Sequence, residues 1–252
     1  MKITTVIASA ALLALLPLGP AVAQNEDDPC SPPGVLVAED PAGDSVDGNG
    51  DADVQSLHIA EPPGATHQLV FTLQLGAASL PSAPPNSQWL IVWNRQEPNA
   101  DFDRFYVGMT SDATGAVSFE YGDFGVPTGA GTTSPNTNRP IKVGDADSGS
   151  YDPATGAVTI ALAAAKADNA QPGQFLGGVN VRTFLGHPGA APKPQAAAND
   201  VTADGEYSVV GNESCESEEK LLGIAVGAAF PSSLLALLGL ALLGARRRAM
   251  HR

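Results

Sequence analysis

The chain has few of the residues that usually carry chemistry at neutral pH. Its 252 residues include two cysteines and four histidines. Cys30 and Cys215 stand near opposite ends of the sequence, and His58, His67 and His187 share no metal spacing with them, which argues against a zinc site. Gly-x-Ser-x-Gly, His-Glu-x-x-His, Rossmann and P-loop signatures are all missing. Basic residues are scarce: 13 against 27 acidic ones. Only eight of the 13 fall between residues 24 and 220, where all 27 acids lie, so that stretch carries a net charge of −19. Such a surface repels nucleic acid and anionic headgroups. No long amphipathic helical period occurs, which argues against a helical bundle.

What the chain does have is uncharged sequence at both ends. Lys2 precedes an apolar run, and Ala21-Val22-Ala23 offers the small residues that a signal peptidase reads, so residues 1–23 are expected to be a signal peptide. Residues 221–245 carry no charged side chain. At about 1.5 Å per residue they reach about 37 Å as a helix, enough for a hydrocarbon core of about 30 Å. Arg246, Arg247 and Arg248 follow at once, which places residues 246–252 on the cytoplasmic side and the body of the chain outside. Residues 24–34 read as an acidic, proline-broken tether and 216–220 as a spacer. The expected location is thus the cell envelope or surface, with the membrane as one partner.

The tail, Phe230-Pro231-Ser232-Ser233-Leu234 through Leu243-Gly244-Ala245-Arg246-Arg247-Arg248, resembles the C-terminal sorting tails of the PEP-CTERM and GlyGly-CTERM kind. Phe-Pro-Ser stands where those families carry Pro-Glu-Pro, and no Gly-Gly pair precedes the helix. The resemblance implies a sorting protease as a partner and release after tail processing. A plain single-span anchor is the alternative.

Between the ends the hydrophobic period is two. Leu69, Phe71, Leu73 and Leu75 share one face of a strand; the run 88–94 is apolar on both faces and reads as a central, doubly covered strand; Phe105, Val107 and Met109 pair through a turn at 112–115 with Val117, Phe119 and Tyr121. Further strands are expected at 35–37, weakly within 141–151, at the start of 157–165, and at 179–184 and 206–210, with loops at 123–139, 171–178 and 186–204. The fold class that follows is all-β: one antiparallel β-sandwich over residues 35–215. In order and pattern the strings QLVFTLQL, WLIVWN, RFYVGM, AVSFEYG and GAVTIAL are similar to DOMON-type and carbohydrate-binding sandwiches found beside secreted bacterial peptidases. That resemblance implies a non-catalytic accessory domain.

Four groups of residues are candidates for a role. Cys30 and Cys215 bracket the domain and, in an oxidising compartment, can close it with a disulfide; two free thiols are the alternative. Asp44, Asp47, Asn49, Asp51 and Asp53 present alternating oxygens in a Gly-rich stretch that could wrap calcium, although Ala52 and His58 break the helical calcium-loop pattern and a solvated turn explains the same residues. Trp89, Trp93 and Tyr106 could form an aromatic platform for a glycan, with Tyr106 the best exposed because it is out of phase with Phe105 and Val107; against that, tryptophans in a doubly apolar strand suit a core. Glu97 with Asp101 or Asp103 is the one acid pair offered for hydrolysis. The leading expectation is a non-catalytic, surface-anchored domain with an adhesive, structural or envelope-associated role. Carbohydrate binding comes second and a hydrolase third.

Overall fold

The computed structural model describes residues 28–46, 50–64, 66–76, 82–95, 103–125, 139–186 and 198–216. Among them run twelve strands: β1 (Val35–Glu39), β2 (Val54–Ala60), β3 (Gln68–Leu75), β4 (Gln88–Asn94), β5 (Arg104–Ser111), β6 (Val117–Gly125), β7 (Arg139–Asp145), β8 (Ser148–Asp152), β9 (Ala157–Ala163), β10 (Phe175–Phe184), β11 (Asp200–Val201) and β12 (Gly205–Ser208). Two antiparallel sheets result. One has the order β1-β2-β3-β9-β8; the other runs β11-β10-β4-β5-β6-β7, with β12 also pairing β10.

The alternation seen in the sequence explains the packing. Leu69, Phe71, Leu73 and Leu75 of β3, with Leu57 and Ile59 of β2 and Val158, Ile160 and Leu162 of β9, face Trp89, Ile91, Trp93, Phe105, Val107 and Met109 across one core, all at most 4% exposed. Phe71 and Trp93 meet between the sheets with ring centroids 5.7 Å apart. At about 25 cal/mol per Å² of apolar surface removed from water, large side chains buried this fully supply the main drive to fold.

One lateral edge is sealed by backbone against backbone. A Cβ on Gly205 would stand 1.9 Å from the carbonyl oxygen of Val37, so only glycine lets β12 of one sheet close on β1 of the other. On the opposite side the weak strand expected within 141–151 is two strands that join different sheets: β7 pairs β6 and β8 pairs β9. The loop expected at 171–178 gives way to β10 from Phe175 on, and β2 was not anticipated at all. Among the described residues no helix is long and apolar enough to cross a membrane. The expected signal peptide (1–23) and span (221–245) lie outside the described residues.

Candidate functional site

The aromatic platform is overturned by burial. Trp89 and Trp93 are each 1% exposed, and Tyr106 is fully buried. Trp89 donates its indole N–H to the carbonyl of Asp51 at 2.7 Å, and Trp93 lies between Phe71 and Phe105. Tyr106 does point away from the inter-sheet core, as its phase requires, but the outer face of its sheet is also covered. There it joins Leu90, Val92, Phe124 and Phe184 in a second apolar cluster and donates its hydroxyl to Glu120 Oε1 at 2.9 Å. Burial and the adjacent carboxylate push the phenol far above its ordinary range.

The acidic stretch is rearranged rather than wrapped. Asp44 comes together with Asp40, which follows β1, and with Asp200 of β11, their nearest oxygens all within 4.8 Å of one another. Asp47 and Asn49 lie outside the described residues. Asp53 turns one oxygen onto the Gly43 N–H at 2.7 Å and so shapes the loop that carries Asp44; Asp51 is fully buried and holds Trp89 through its carbonyl. Asp200 accepts the N–H groups of Val54 (2.7 Å) and Val201 (2.9 Å). Desolvation, then repulsion from Asp200 and Asp44, raises the Asp40 carboxyl to about 6, and desolvation also raises Asp200. Three convergent carboxylates with few donors can share a proton or bind a hard cation such as calcium through oxygen.

The other end of the sandwich shows the opposite treatment of a carboxylate. Glu61, placed by the end of β2, is fully buried, yet four donors converge on it. Its Oε1 accepts the Tyr207 hydroxyl (2.8 Å) and the Val210 N–H (2.7 Å); Oε2 accepts the Gly211 N–H (2.7 Å) and pairs with His67 Nε2. The Glu61 N–H in turn donates to the Pro29 carbonyl at 2.6 Å. Beside this clamp Cys30 and Cys215 form the expected disulfide, with their Cα atoms 5.2 Å apart. Nothing in the local spacing of Glu61 or His67 announced this network.

A cleft of about 660 Å³ opens near the same end, between the sheets. Arg95 forms its wall, paired with Asp123 and Asp168 and lying 5.2 Å over the Phe105 ring. Lys166 lies 5.9 Å over Tyr121 and pairs with Asp147. Each cation in this cleft already has an anion, so it is a braced surface. Of the acid pair proposed for hydrolysis, Glu97 and Asp101 lie outside the described residues, and Asp103 is exposed, its carbonyl taking the Arg95 N–H at 2.9 Å. Compared with known proteins, the chain matches no family model, no curated protein and no solved structure.

Proposed function

We propose that this chain is an exported, membrane-anchored β-sandwich that serves the cell envelope or surface as a structural or adhesive domain without chemistry of its own. One observation carries the reading: the first and last segments of the domain's chain are fastened at a single corner. The segment that enters β1 and the segment that leaves β12 meet at the Cys30–Cys215 disulfide, and Glu61 grips both, through Pro29 on one side and Tyr207, Val210 and Gly211 on the other. The uncharged run at 221–245 follows within a few residues of that corner. A domain pulled by an anchor at its C-terminus then transmits load into a covalent bond and a buried hydrogen-bond cluster instead of peeling β12 from the sheet. The disulfide fits an oxidising compartment, as export requires. The net charge of −19 keeps such a body soluble and away from anionic headgroups.

The tail resemblance makes a sorting protease the partner that would trim or release the domain. Cell fractionation with intact-mass measurement tests the proposal. Recovery from the membrane or envelope fraction with residues 1–23 removed is the expected result, and a released form would end before residue 221. A full-length chain with residue 1 retained, dissolved in the cytosol, would refute it.

A further inference from the structure

With 27 acidic residues against 13 basic ones, an arginine that meets no carboxylate is the exception in this chain. Arg95 pairs with Asp123 and Asp168, Lys142 with Asp145 at 2.7 Å, and Lys166 with Asp147. Arg104 of β5 and Arg182 of β10 form no such ion pair among the described residues. Both belong to the outer face of the same sheet. Phe105 and Val107 of β5 and Val181 of β10 point into the inter-sheet core, so strand alternation turns Arg104 and Arg182 the other way.

The two guanidinium groups approach one ring. Arg104 stands directly opposite Phe124 in the β5–β6 register, and Arg182 reaches across the face to place its Cζ 5.4 Å from the Phe124 ring centroid. Directly opposed residues have Cβ atoms about 5 Å apart, so Arg104 flanks the ring that Arg182 covers. Arg182 is held in orientation: its Nε donates to Asn180 Oδ1 at 2.9 Å, and Asn180 Nδ2 in turn donates to Asp204 Oδ1 at 2.9 Å. Asp204 is thus engaged by the amide, and Glu120 of the same face by the Tyr106 hydroxyl and by Lys142. Burial, then the like charge of Arg104, lowers the Arg182 pKa. Asn94, exposed on β4 opposite Arg104, sets a neutral amide beside the pair.

We propose that Arg104 and Arg182 form an oxyanion site on this face, which takes the phosphate group of a small phosphate monoester from solution. Two guanidinium forks present paired N–H donors that fit phosphate oxygens, and their two charges match a phosphate dianion. An anion between them removes the repulsion that the fold leaves in place. The net charge of −19 on residues 24–220 stands against a long polyanion or an anionic bilayer, which limits the ligand to one phosphate on a small molecule. This site goes beyond the structural or adhesive role and does not depend on anchoring.

Phosphorus NMR on the full chain in a neutral detergent tests it, with methyl phosphate as the probe and acetate as the competitor. In about 20 mM salt the resonance should shift with a Kd on the order of 1 mM, and binding should weaken several-fold at about 150 mM salt. Acetate should compete about tenfold less well, because it carries one charge and two oxygens. Arg104→Gln should weaken methyl phosphate about tenfold. Arg182→Lys keeps the charge but loses the fork, so it should also weaken binding, and it covers the case in which the Arg104 variant fails to fold. Lys166→Gln removes the same unit of charge from a cation that already has its carboxylate, and should leave the affinity unchanged. No shift at about 20 mM methyl phosphate, equal competition by acetate, unchanged affinity in a folded Arg104→Gln or Arg182→Lys protein, or an equal loss in Lys166→Gln would overturn the proposal. Micelles of the same detergent that carry a phosphate-monoester lipid separate the two sources of phosphate: binding to them without binding to methyl phosphate would overturn the soluble ligand.

Discussion

The two ends of the sandwich treat their carboxylates in opposite ways. At one end Glu61 is surrounded by a phenol, an imidazole and two backbone N–H groups, so its charge is met by donors that the fold itself supplies. At the other, Asp40, Asp44 and Asp200 face one another, and desolvation and mutual repulsion raise Asp40. The first end is complete without an outside partner. The second is relieved by a proton or a cation from solution. If the chain is anchored as proposed, through residues that follow Cys215, the acidic end would face away from the membrane.

The largest expected effect comes from opening the closed end. Replacing Cys30 and Cys215 with serine releases a loop of 185 residues and should cost on the order of 5 kcal/mol in denaturant unfolding of the full chain. Next, Glu61→Ala leaves several donors buried without an acceptor and should cost about 3 kcal/mol or more, read from the same unfolding curves; Glu61→Gln, which keeps one acceptor, should cost less. If Glu61→Ala proved neutral, the contrast between the ends would disappear.

The contrast was only partly legible in the sequence. Period two gave β3, β4, β5 and β6 because the register shifts beside them place the extra residue in the partner strand, β2, β10 or β7, and leave their own alternation intact. β2 escaped because a register shift between Val54 and Ser56 puts its apolar residues at 54, 57 and 59, out of strict alternation. Tyr106 was placed on the correct face but wrongly exposed. The signal against exposure was already present in Leu90 and Val92, whose apolar side chains on the same outward face implied that something covers it. The acidic cluster was misread for a different reason: Asp40 and Asp200 meet only through folding, and spacing along the chain carries no trace of that. Glu61 and His67 gave no signal because a single buried acid has no pattern.

Smaller effects sharpen the acidic end. Calcium added to chelator-treated protein should raise the melting midpoint by on the order of 5 °C, and Asp200→Asn should abolish the rise. An unchanged midpoint would leave a shared proton as the relief. In chelator, pH then acts through Asp40. Its folded value of about 6 lies above the ordinary 3.8, so the folded protein holds the proton more tightly than the unfolded chain. That stabilisation is complete below about 3.8 and is lost as pH rises through about 6. Asp40→Asn should flatten the dependence, a difference on the order of 3 °C in thermal melts taken on either side of that value.

The outward orientation of the unsatisfied end is tested most directly with a thiol placed beside it. Val46 is 78% exposed and lies two residues from Asp44, while both native cysteines are held in the disulfide. A membrane-impermeant maleimide applied to intact spheroplasts should label Val46→Cys before lysis and leave the wild-type chain unlabelled until it is reduced. Labelling of Val46→Cys only after lysis, or of unreduced wild type at Cys30 and Cys215, would contradict an exported domain closed at its anchored corner.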